Sequence, residues 1–179
     1  MKHKITKSDT VYQGYFDVKV DLLQSVDGPS MIYTSIDIKV HAAAILARTP
    51  DGKFLITKEY RHPTRQWILG CPGGRIDPGE SPAEAAVREL KEETGFVGSH
   101  LIPLGQVFSL PAVTDQIIHY FFIDEATPTH KTAHEPFEAI QIDLKTEEEL
   151  IQEILSGTAI DGVLCSAFFL YKSNTKHNK

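Results

Sequence analysis

The chain has only two cysteines and one tryptophan in 179 residues, and its apolar runs fall well short of the roughly 20 residues a membrane span needs. Cys71 and Cys165 sit on unrelated segments, so neither a disulfide framework nor a cysteine zinc site is expected. The leading residues Met1-Lys2-His3-Lys4-Ile5-Thr6-Lys7 lack the apolar core of a signal peptide, which points to a reduced cytoplasmic setting. There is no basic excess. The formal net charge is −6, which repels nucleic acid and anionic lipid at long range and leaves neither as an expected partner. Internal repeats and low-complexity linkers are missing too. The close histidine pair, His130 and His134, lies where no helical pattern would join the rings, so no histidine metal site is expected.

What remains is the composition of an ordinary globular domain, 41% hydrophobic and 23% charged, long enough to bury a full core. An anionic substrate would need a local remedy on this acidic chain: a metal, a few basic side chains or backbone N–H groups.

Strand patterns dominate the first sixty residues. Residues 14–24 alternate around Phe16, Val18, Val20 and Leu22, and residues 32–40 around Ile36, Ile38 and Val40. Residues 42–47 are continuously apolar, as in a strand buried on both faces. Thr49-Pro50-Asp51-Gly52 is a hairpin turn leading into Phe54-Leu55-Ile56. Further strands are expected near 104–108, 117–123 and 139–144.

Three helices are marked by their ends. Ser81-Pro82-Ala83-Glu84 combines a hydroxyl N-cap, proline at N1 and glutamate at N3, and Gly95 supplies the stop. Ala83, Val87, Leu90 and Thr94 form the stripe expected to face inward. Thr146-Glu147-Glu148-Glu149 opens a second helix ending near Gly157. Asp161 caps a third that carries Val163, Ala167 and Leu170, followed by a frayed polar tail from Lys172. The fold class is mixed α/β, in the α+β sense, with helices packed on a mostly non-parallel sheet.

The chemistry concentrates in the 23 residues 74–96, GRIDPGESPAEAAVRELKEETGF. Glu89, Glu92 and Glu93 stand at i, i+3 and i+4, on one helix face that points away from the expected buried stripe. Like charges at this spacing repel, and in the last turns of a helix the dipole disfavours anions. Most acidic helix faces are simply solvated. A face kept against both penalties suits a hard cation held by oxygen ligands, magnesium or manganese. Arg88 can pair with Glu92 or with Glu80 and so hold the carboxylates in place.

This segment resembles the signature of the Nudix hydrolases at every fixed position. Five residues separate Gly74 from Glu80, seven separate Glu80 from Arg88-Glu89, and Leu90, Glu92-Glu93 and Gly95-Phe96 complete the pattern. Glu59-Tyr60-Arg61, the approach through Trp67 to Pro72-Gly73-Gly74, and Pro111 extend the likeness to ADP-ribose and nucleoside diphosphate sugar pyrophosphatases. The resemblance implies an α/β/α sandwich with a mixed sheet. It implies metal binding by Glu89, Glu92, Glu93 and the Gly73 backbone, with Arg88 and Glu92 serving catalysis. It further implies a general base on a later loop, Glu138 with Glu135 in reserve. Arg61 is expected to grip a phosphate, and Trp67, Pro111 and Asp115 to contact substrate. Trp67 can also simply close the core.

Departures from the family pattern bear on the substrate. Gly70 stands where many relatives are acidic, Cys71 where they are bulkier, and Ala112-Val113-Thr114-Asp115-Gln116 replaces the usual run after the proline. Strict ADP-ribose specificity is therefore not implied. The resemblance divides the chain into an N-terminal strand arm (1–40) that can exchange between subunits of a homodimer, a hydrolase domain (41–172) and a polar tail (173–179). The competing readings are a Nudix hydrolase of nucleoside triphosphates or dinucleoside polyphosphates, and a Nudix ligand sensor without catalysis.

Overall fold

A computed structural model describes residues 3–134, 137–157 and 159–177, in two compact units. Residues 3–41 join Val107–Ile117 in one unit, and the rest of the chain forms the other.

In the first unit β1 (His3–Tyr12), β2 (Asp17–Ser25) and β3 (Ser30–Asp37) make an antiparallel sheet in the order β1-β2-β3. The alternation predicts two strands here, and the structure has three. All ten residues of β1 are exposed, so it has no buried face for a periodicity to mark. The segment 107–117 is tied on by Ile36, whose N–H donates to Val113 at 2.7 Å, and by the Tyr33 hydroxyl, which donates to the Ala112 carbonyl at 2.6 Å.

The second unit is a layered α/β structure. Its sheet runs β10 (Ile140–Lys145), β5 (Phe54–Arg61), β4 (Ala42–Arg48), β9 (Ile117–Pro128), β8 (Phe96–Phe108), with β6 (Gln66–Gly70) paired to β5 and β7 (Gly73–Arg75) paired to β4. β4 runs parallel to β9 and antiparallel to β5 and β7, so the sheet is mixed. The continuous apolar run of β4 has its predicted explanation. Ala43, Ile45 and Ala47 pack toward α1 (Pro82–Thr94), while Ala44 and Leu46 pack toward α2 (Glu147–Leu155) and α3 (Gly162–His177). Period-2 alternation sends neighbours to opposite faces, and here both faces are covered. No helix among the described residues is long and apolar enough to cross a membrane.

Both capping boxes form, and the Asp161 carboxylate accepts from the Val163 N–H at 2.8 Å at the start of α3. Two expectations need correction. α3 is helical to His177 where the polar sequence predicts a frayed tail from Lys172; Asn174 in this stretch donates to the Leu104 carbonyl at 3.4 Å. On α1 the buried residues are Ala85, Ala86, Leu90, Glu93 and Thr94, and Val87 is exposed. The inward face is rotated from the expected stripe, and it takes Glu93 with it.

Candidate active site

The rotation of α1 sets the chemistry. Glu93 is 7% exposed, and its Oε2 accepts a hydrogen bond at 3.1 Å from the Gly73 N–H, on the strand before the helix. Burial pushes its pKa up to about 8, with the nearby Glu89 carboxylate pushing the same way and the Gly73 hydrogen bond opposing. Glu89 is also raised, chiefly by burial. The glycines before the helix allow this close packing. A Cβ on Gly74 would stand 2.3 Å from Glu89 Oε1, and one on Gly73 would stand 2.5 Å from the Ala43 carbonyl oxygen.

Arg88 organises the other side. It donates from Nε and Nη2 to the two Glu80 oxygens at 2.9 and 3.0 Å, and from Nη1 to Glu89 at 2.8 Å and Glu92 at 3.0 Å. A further bond from Nη2 reaches the Arg75 carbonyl at 2.9 Å. These bonds match the five N–H donors of a guanidinium, so Arg88 is fully engaged within the chain. Both pairings predicted from spacing occur together.

Across from α1, the face of β5 that carries Leu55 also carries Thr57, Glu59 and Arg61, because alternate residues share a face. Arg61 Nη1 donates to Glu59 Oε1 at 2.7 Å. Burial raises the Glu59 pKa; Arg61 opposes the shift and Glu138 adds to it. Glu138 stands two residues before Ile140, the partner of Glu59 in the β5–β10 pair, and its charge also pushes Glu89 and Glu93 upward. Glu59 was not singled out from the sequence, although strand alternation together with its neighbour Arg61 is a signal that could have found it. Glu135 lies outside the described residues.

Among the described residues, no three His, Cys, Asp or Glu side chains already form a metal cage, and the Arg88 guanidinium bridges Glu89 and Glu92. The donors are nonetheless all oxygen, and one is a buried carboxyl whose ionisation a cation would favour. That chemistry fits a hard divalent ion.

The NUDIX domain profile matches residues 38–159. The chain belongs to the Nudix family of hydrolases. A Bacillus subtilis (strain 168) protein named ADP-ribose pyrophosphatase is 30% identical over 128 residues, covering 70% of this chain and 68% of that protein. The Escherichia coli (strain K12) ADP compounds hydrolase NudE is 30% identical over 121 residues, covering 68% of this chain and 65% of its own length. The chain thus spans about two thirds of these curated relatives. A crystal structure of an ADP compounds hydrolase is similar with a TM-score of 0.88 at 26% identity, covering 99% of this chain and 96% of that one.

Trp67 pairs with Tyr60 across β5–β6, with ring centroids 6.1 Å apart. Paired residues share a face, so Trp67 follows Tyr60 and Leu69 and stands on the opposite side of the sheet from Glu59 and Arg61. Pro111 and Asp115 belong to the first unit, where they line a cavity of about 450 Å³ with Lys19, Tyr33 and Asp37. Cys71 is a part-buried thiol whose pKa is driven up, chiefly by desolvation.

Proposed function

We propose that this Nudix hydrolase cleaves the pyrophosphate bond of nucleoside diphosphate sugars such as ADP-ribose, releasing a nucleoside monophosphate and a sugar phosphate. The observation that carries the reading is the buried Glu93 carboxyl, bonded to the Gly73 N–H, with Arg88 fixing Glu89 and Glu92 on the same helix. The choice of substrate is supported by the names of the relatives, ADP-ribose pyrophosphatase and ADP compounds hydrolase.

Glu89, Glu92, Glu93 and the Gly73 backbone would hold magnesium, with manganese as a substitute. A cation held there would supply positive charge against the diphosphate and a water of lowered pKa. Glu138 takes the proton from the attacking water. Arg61, half-exposed and steadied by Glu59, grips a substrate phosphate through its remaining N–H groups. Arg88 is a positioning residue here: its donors are already occupied, and its task is to hold Glu89 and Glu92 at fixed rotamers. Pro111 and Asp115 are assigned to substrate recognition, and Trp67 to support of the β5–β6 hairpin.

The arm sheet leaves Val11, Tyr12, Leu22, Met31 and Ile32 exposed, which favours a homodimer built through residues near 10–40. A cytoplasmic setting accords with two free cysteines.

The test is a substrate panel with purified protein and magnesium, reading monophosphate release. Turnover of ADP-ribose or another sugar nucleotide is expected. Strong turnover of triphosphates or dinucleoside polyphosphates with none of any sugar nucleotide would replace the substrate assignment. Binding without turnover of anything would make the chain a ligand sensor. For the dimer, sedimentation showing one 20 kDa species at every concentration would reject the interface.

A further inference from the structure

The last carbonyls of a helix have no partner within the helix and must find one elsewhere. At the end of α1 the segment 129–134 supplies several. The Ala133 N–H donates to the Glu92 carbonyl at 2.7 Å, and the Thr129 and His130 N–H groups both donate to the Gly95 carbonyl at 3.0 Å. His134 Nε2 lies 2.8 Å from the Glu93 carbonyl oxygen. A carbonyl can only accept, so Nε2 carries the proton and donates. Gly95 makes room for this docking, since a Cβ there would lie 2.2 Å from the His130 carbonyl oxygen.

Glu138 follows His134 by four residues, a span of at most about 14 Å of extended chain. Beyond it, the Ala139 carbonyl accepts from the Tyr60 N–H at 3.2 Å, and Ile140 pairs with Glu59. Glu138 therefore lies between two fastened points, Ala139–Ile140 on the sheet and His134 on the Nudix helix. The helix-side fastening ends on the main chain of Glu93 itself.

We propose that His134 is a positioning residue: its side-chain hydrogen bond to the Glu93 carbonyl pins the Glu138 segment to the Nudix helix and sets where the base stands over the carboxylate cluster. This rests on Glu138 being the general base. His134 touches neither substrate nor cation in this role. Its loss shifts the base and leaves the carboxylates as they are.

The test is a double-mutant cycle with His134→Ala and Glu138→Gln, assayed with magnesium and whichever substrate of the panel turns over fastest. His134→Ala should lower kcat roughly 10- to 100-fold, the scale of a base misplaced by about 1 Å, with KM changed little. Affinity for Mn²⁺ alone, titrated without substrate, should match that of the wild-type protein. His134→Gln, which keeps a side-chain N–H, should recover much of the rate. In the Glu138→Gln background, His134→Ala should have almost no further effect. A Glu138→Gln variant with wild-type rate would refute the base and the proposal together. A slow Glu138→Gln variant with a fully active His134→Ala variant, or with equal His134→Ala losses in both backgrounds, would refute the positioning role and leave the base standing. If the alanine variant fails to fold, the same comparison is made with His134→Gln and His134→Leu, and equal rates for those two would overturn the proposal.

Discussion

The Gly73 N–H donates to the Glu93 carboxylate at 3.1 Å, joining the strand before the Nudix helix to the last turn of that helix. Burial at this junction pushes the Glu93 pKa up to about 8. The same carboxyl is costly to the fold and useful to the proposed chemistry.

A stability profile of the metal-free protein should show the cost. Between about 4.5 and 8 the folded chain retains a proton on Glu93 that the unfolded chain releases. Stability is therefore greatest below the unfolded value and is lost as pH rises through that window, by about 2–4 kcal/mol. Denaturant melts from pH 5 to 9 without metal should show this fall, and Glu93→Gln should flatten it. A flat wild-type profile would contradict the burial of an ionisable group at that position.

Cation binding should run the other way. A metal takes the ionised carboxylate, so apparent Mn²⁺ affinity should rise with pH up to about 8 and binding should release protons. Calorimetric titration in buffers of different ionisation enthalpy measures that release. Zero proton release at pH 7 would place the cation elsewhere.

Arg88→Lys should lower turnover roughly 10- to 100-fold, although the charge is retained. A lysine cannot span Glu80, Glu89, Glu92 and the Arg75 carbonyl at once, so Glu89 and Glu92 lose their fixed rotamers. Steady-state kinetics at saturating magnesium check this. An unchanged rate would mean that those carboxylates need no second partner.

Gly95→Ala should destabilise the protein by about 2–4 kcal/mol. Gly95 sits at φ 74°, and the added Cβ would meet the His130 carbonyl oxygen, so the helix stop and the docked segment are both disturbed. Chemical denaturation measures the loss, and a change below about 0.5 kcal/mol would contradict it.

Much of this arrangement is written in local sequence. The capping boxes at Ser81 and Thr146, the Gly95 stop and the β4 run of residues 42–47 depend on near neighbours, and each formed where the pattern placed it. The Glu89, Glu92 and Glu93 spacing was equally legible. What it could not show was which of the three would be buried, because that depends on how α1 rolls against β4 and β7. Ala85 and Ala86, small enough to sit flat on the sheet, draw the helix round and leave Val87 outside. β1 was illegible because none of its residues is buried. His134 required tertiary structure, because it caps a helix 41 positions earlier in the chain, whereas Glu59 shares a strand face with Arg61 and could have been found by alternation.

The most direct measurement is the turnover of ADP-ribose by Glu93→Gln in magnesium, beside the wild-type enzyme. The variant should keep its far-UV spectrum and a melting temperature at least as high, while kcat falls by roughly 10³-fold, about 4 kcal/mol of lost barrier reduction. A Glu93→Gln protein that hydrolyses the substrate at the wild-type rate would show that the buried carboxyl of the Nudix helix takes no part in holding the cation.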